Sequence, residues 1–186
     1  MYKKVIVLSV FYLINSLFYL GFSSNSDTKI IPAPDKQIFL DGFFKLNDNT
    51  TINYPNEFKH SVNFLSSYLN QGKTQYLSIK NKNSSKNFVQ FLLDEKISNN
   101  EAYKIEIKKN GITITSRDNK GAFYAIQTLR QLIPASFEDK TYANTEISIK
   151  CQIIEDSPRF KYRGMHLDVG RHLFSVEFIK KYIDAL

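Results

Sequence analysis

The sequence predicts an α+β fold, an antiparallel sheet with helices packed on one face, followed by the start of a second unit. Three observations carry this. Several short runs alternate apolar and polar residues, two longer runs repeat apolar residues every three or four positions, and the last thirty residues read as strand, polar loop and helix. The chain has 186 residues, 42% of them hydrophobic, which is a globular composition. A complete (β/α)8 barrel of about 250 residues does not fit in it.

In chain order, Met1 to Lys4 forms a short basic start and Val5 to Phe22 is almost wholly apolar, so residues 1–23 read as a secretory signal cut after Ser23. The alternative is a retained membrane anchor. Export through this signal leads to the periplasm, the cell surface or the medium. Residues 24–36, with Pro32 and Pro34, read as an extended linker. The α+β domain follows over 37–154. Ile38 to Leu46 predicts a strand with Phe39, Phe43 and Phe44 as core candidates. Asn56 to Leu69 predicts a helix with Phe58, Val62, Leu65 and Leu69 on one face, ended by Gln71-Gly72.

Strands are expected at Tyr76 to Lys80, Phe88 to Leu93, Ala102 to Lys108 and Ile112 to Ser116. Asn110-Gly111 between the last two predicts a tight hairpin. Asp118 is placed to cap a helix whose stripe is Phe123, Ile126, Leu129, Leu132 and Ile133, stopped by Pro134. Ile147 to Ile154 alternates again and reads as a connecting strand. Nothing in this domain has the look of a catalytic constellation.

Residues 155–186 are different. Arg159, Arg163, Arg171, His166, His172, Asp156 and Asp168 crowd around an apolar run, and such a density of ionisable groups is costly unless they pair or meet a ligand. Met165, Leu167 and Val169 alternate with His166, Asp168 and Gly170, so Arg163 to Val169 is expected to be a buried strand, with Arg171 and His172 just past its end. Ser175 is placed to cap a helix striped by Phe178, Ile179 and Ile183, with Glu177 near its positive end. The two histidines have no carboxylate or cysteine spacing beside them, so no metal site is expected. The lone Cys151 can form no disulfide within the chain and reads as a small buried hydrophobe.

At these residues the chain resembles the family 20 glycoside hydrolases, the β-N-acetylhexosaminidases. Glu155-Asp156-Ser157-Pro158-Arg159-Phe160, Tyr162-Arg163-Gly164 and Leu167-Asp168-Val169-Gly170-Arg171-His172 are similar to the opening of that family's catalytic TIM (β/α)8 barrel. Asp118 to Leu132, with its run from Gly121 to Leu132, is similar to the last helix of its accessory α+β domain. The resemblance implies removal of terminal N-acetylglucosamine or N-acetylgalactosamine from glycans or chitooligosaccharides. The mechanism it implies is retaining and substrate-assisted: a glutamic acid protonates the leaving oxygen, and the substrate's acetamido group attacks the anomeric carbon. It needs no cofactor. The Asp-Glu pair that does this work is expected beyond residue 186, so the 186-residue chain is expected to be an incomplete barrel without hydrolase activity. The resemblance assigns Arg171 to the sugar's ring hydroxyls, for which a planar guanidinium is suited. Asp168 is read as its structural partner, and simple pairing of the two is the alternative. Arg159 and Arg163 read as structural charges at the junction.

Two other readings stay open. The α+β domain could be a non-catalytic glycan-binding or protein-interaction module built on its 11 Tyr and 15 Phe, although aromatics at strand spacing are more often core. The charge of +7, reduced to +5 once Lys3 and Lys4 are removed, is weak support for nucleic-acid binding, and the lysines of 80–86 read as solvated. Asn49-Thr50-Thr51 and Asn83-Ser84-Ser85 match the N-glycosylation pattern, which matters only in a eukaryotic source.

Overall fold

The computed structural model describes residues 30–70, 86–137 and 146–184. The signal at 1–23, residues 24–29 of the linker, Gln71-Gly72, the strand expected at 76–80, Asn83 and nearly all of the 80–86 lysine tract lie outside them. Among the described residues there are six strands: β1 (Lys36–Leu46), β2 (Thr51–Asn53), β3 (Phe88–Leu93), β4 (Tyr103–Lys108), β5 (Gly111–Ser116) and β6 (Ile147–Asp156). Three helices accompany them: α1 (Lys59–Leu69), α2 (Asn119–Gln131) and α3 (Val176–Asp184).

The strands form one sheet in the order β1-β6-β4-β5-β3-β2. Its register places buried side chains in rows across the strands. One row runs Ile52, Val89, Ile112, Ile107 and Gln152; the next runs Phe91, Ile114, Ile105 and Ile154. Period-two alternation in each strand produces these rows, because every second side chain faces the same way. Gln152 is tolerated at the end of its row because it accepts from Gln37 Nε2 (2.8 Å) and donates to the Lys150 carbonyl (3.2 Å). The opposite positions of β4 carry charges that pair along and across strands, with Lys104 Nζ 3.6 Å from Glu106 in the same strand and 3.9 Å from Glu155 in β6.

Both α1 and α2 cover the apolar rows. Phe58, at the entry to α1, packs on Phe91 with ring centroids 5.7 Å apart, and Phe58, Val62, Leu65 and Leu69 are all buried. Asp118 caps α2 by accepting the Lys120 N–H at 2.8 Å. The helix sits so close to the sheet that a Cβ on Gly121 would lie 2.3 Å from the Ala102 carbonyl oxygen. Buried Ser61 joins the helices by donating to Asn119 Oδ1 (2.8 Å). The linker's end is strapped to α2 by a reciprocal amide pair between Ile31 and the Gln131 side chain (2.8 and 2.9 Å).

The sheet is mixed rather than antiparallel. β1-β6, β4-β6 and β4-β5 pair antiparallel, while β2-β3 and β3-β5 pair parallel. Alternation reports which face a residue takes but not the direction of its neighbour, and β4 lies beyond β5 from β3, which leaves β3 and β5 side by side and parallel. The three-residue β2 is too short to leave a periodic signal. In β1 only Phe44 and Leu46 reach the core; Phe39 and Phe43 are 40% and 54% exposed. The β1-β6 register breaks between Phe39 and Phe43, around Gly42 at φ +97°, and Lys150 Nζ lies over the Phe43 ring at 5.0 Å. The hairpin forms, one residue earlier than expected, with Lys109-Asn110 as its loop. Gly111 is instead the first residue of β5, where a Cβ would run into the Phe88 ring at 2.6 Å.

Candidate functional site

Beyond β6 the chain leaves the sheet and carries the ionisable cluster out along an irregular path. Asp156, at the end of β6, is fixed by two elements: its Oδ1 accepts the Asp35 N–H (3.2 Å) and its Oδ2 accepts from the Tyr103 hydroxyl (3.1 Å). The Tyr103 proton being committed there, Thr128 donates across the 2.5 Å contact with the same phenol. Burial, and then the neighbouring Asp156 charge, push the Tyr103 phenol above its ordinary pKa. Together with the strap at 30–33, one side of α2, residues 157–160 and Arg163, these groups line a cavity of about 610 Å³. Tyr103, Thr128, Tyr124, Ile31, Phe160 and Arg163 all face it.

Arg163 is the most heavily engaged charge of the cluster. Its Nη2 donates to Glu101 Oε2 (3.0 Å) and to the Tyr124 hydroxyl (2.7 Å), its Nη1 donates to the Phe160 carbonyl, and its guanidinium lies 5.2 Å from the Tyr124 ring centre. The Tyr124 and Glu101 hydrogen bonds raise its pKa further above neutrality. Nothing in the sequence marks Glu101 and Tyr124 as its partners. They lie 62 and 39 positions from Arg163, and no local pattern marks so distant a pair.

The buried strand expected at Arg163 to Val169 is absent. These residues have no regular secondary structure, and Met165 and Val169 are 59% and 54% exposed. An isolated strand has no neighbour to receive its backbone hydrogen bonds or to cover its apolar face, and none lies beside this one among the described residues. What forms instead is a turn. Asp168 Oδ1 accepts the N–H groups of Gly170 (2.9 Å) and Arg171 (3.3 Å), and Asp168 Oδ2 stands 3.5 Å from Arg171 Nε. The Arg171 side chain is 88% exposed, so its remaining donors face solvent. Arg159, His166 and His172 are exposed as well, Cys151 is buried, and no cluster able to hold a metal occurs among the described residues.

Ser175 caps α3, its Oγ accepting the Phe178 N–H at 3.2 Å. The helix forms where expected, but its apolar stripe is not covered: Phe178 and Ile183 are exposed, and Phe178 stacks on Phe174 at 4.7 Å.

Comparison with known proteins finds one family in two successive matches. Residues 27–157 match the model of glycosyl hydrolase family 20, domain 2, and residues 160–186 match that of the glycosyl hydrolase family 20 catalytic domain. A β-hexosaminidase of Porphyromonas gingivalis is 35% identical over 160 residues, covering 84% of this chain and 21% of that protein. β-Hexosaminidase subunit B2 of Dictyostelium discoideum is 30% identical over 184 residues, covering 88% and 31%. Among solved structures, a mutant Streptomyces plicatus β-hexosaminidase in complex with its product GlcNAc superposes with a TM-score of 0.74 at 28% identity, over 85% of this chain and 32% of that one. The chain therefore spans between about a fifth and a third of the length of these relatives. With a domain model matched over most of its length, the chain belongs to glycosyl hydrolase family 20.

Proposed function

We propose that this chain is the N-terminal part of an exported β-N-acetylhexosaminidase that removes terminal N-acetylglucosamine or N-acetylgalactosamine by the retaining, substrate-assisted route. The observation that carries the reading is the order of the two family matches, with the catalytic one beginning at residue 160 and containing the exposed Asp168–Arg171 turn. In this role Arg171 grips ring hydroxyls of the terminal sugar through its planar fork, and Asp168 sets the turn and the orientation of the guanidinium. On this reading the glutamic acid and the acetamido-orienting aspartate belong to later strands of the family's barrel, and residues 1–186 alone are expected to be inactive.

The test compares purified residues 24–186 with the same chain extended through its reading frame, using a chromogenic N-acetylglucosaminide. No turnover is expected from the first and clear turnover from the second, falling about a hundredfold or more with Arg171→Ala, as removal of a bidentate contact to the reacting sugar should. Sustained hydrolysis by residues 24–186, or full activity of the extended Arg171→Ala enzyme, would overturn the reading.

A further inference from the structure

Among the described residues, every hydrogen bond and ion pair made by residues 164–184 stays within that segment: the Asp168 turn, the Asp168–Arg171 pair and the Ser175 cap. The last polar tie back to the α+β domain is Arg163. Its partners are held by rigid elements. Tyr124 sits in the middle of α2. Glu101 follows a turn in which its own N–H donates to Asn99 Oδ1 (3.0 Å), while the adjoining Asn100 carbonyl accepts from Gly121 in α2 (3.0 Å). The side chains of Arg163 and Glu101 are 38% and 27% exposed, so the clasp lies at the surface and rests on its several contacts together rather than on the ion pair alone. A planar guanidinium held by a carboxylate, a phenol oxygen and an aromatic ring has its orientation set as well as its position.

We propose that Arg163 is a positioning residue, a latch clasped by Glu101 and Tyr124 that fixes the origin of the catalytic segment on the accessory domain. Residues 164–172 start from this fixed point, so the direction in which the Asp168–Arg171 turn leaves the domain is set by it. The latch stands on the contacts alone; its value for gripping a sugar rests on the function proposed above.

The test uses the 186-residue chain with spin labels on Lys120→Cys in α2 and Met165→Cys, both exposed, while buried Cys151 stays unlabelled. The label-to-label distance distribution from double electron-electron resonance should be narrow. Arg163→Ala is expected to widen it about twofold or more, Arg163→Lys to widen it less, and Glu101→Gln with Tyr124→Phe to match Arg163→Ala. In an Arg163→Ala background the same two changes should add nothing. Should Arg163→Ala fail to fold, the Glu101→Gln and Tyr124→Phe pair supplies the comparison. An unchanged width in these variants, or an equal widening by Glu101→Gln with and without Arg163, overturns the latch. No sugar enters this measurement, so a failure of the sugar-binding role of Arg171 leaves its outcome intact.

Discussion

One carboxylate of Asp168 both shapes the backbone around Arg171 and stands beside its guanidinium. Oδ1 accepts the Gly170 and Arg171 N–H groups, and Oδ2 lies 3.5 Å from Arg171 Nε. Asp168→Ala should therefore speed amide exchange at Gly170 and Arg171 several-fold, whereas Asp168→Asn, which keeps an acceptor oxygen, should preserve much of their protection. Global stability should move by no more than about 0.5 kcal/mol in either variant, because the pair is exposed. Hydrogen-deuterium exchange at single-residue resolution checks the first outcome and urea unfolding the second.

Phe43 and Phe44 are adjacent and have opposite fates, since Phe44 is buried and Phe43 lies on the surface beneath Lys150. Phe44→Ala should cost about 3–5 kcal/mol, the usual loss for emptying a buried aromatic site. Phe43→Ala should cost well under about 1 kcal/mol, since it gives up little more than an exposed cation-π contact. Equal losses in denaturant unfolding would contradict the register break in β1.

Gly121 tests how tightly α2 is pressed to the sheet. In an open helix, Gly→Ala gains about 1 kcal/mol. Here the new methyl would meet the Ala102 carbonyl oxygen, which is backbone and cannot step aside. Gly121→Ala is expected to destabilise by about 1–3 kcal/mol, and a lowered thermal midpoint gives the sign directly.

Tyr103 should make stability fall in alkali. Burial holds its phenol in the neutral form, raising the folded pKa above the unfolded value of about 10. The folded state therefore retains a proton that the unfolded state gives up. Stability from this group is intact below about pH 10 and declines as pH rises through the folded pKa. Tyr103→Phe should lessen that decline. At pH 7 the same variant should lose about 1–2 kcal/mol, because Thr128 and Asp156 each lose a hydrogen-bond partner. Urea midpoints of both proteins across pH 7 to 11 provide the comparison.

The features legible in the amino-acid order alone are local. Short apolar runs marked β3 and β5, and alternation marked β4 and β6, within a residue or two at most ends; helical spacing marked α1, α2 and α3; Asp118 and Ser175 were legible as caps because a cap depends on a few neighbouring backbone groups. The Asp168–Arg171 pair was legible for the same reason, lying three residues apart. Tertiary structure decided the rest. Strand direction, the exposure of Phe39 and Phe43, the reason for Gly111 and the Arg163 clasp all depend on partners tens of residues distant. The stretch from Arg163 to Val169 makes the point from the other side. Its alternation is as clear as that of β4, yet β4 has strands on both sides and this stretch has none beside it among the described residues. Periodicity states a preference for one face, but a strand exists only where another backbone completes its hydrogen bonds.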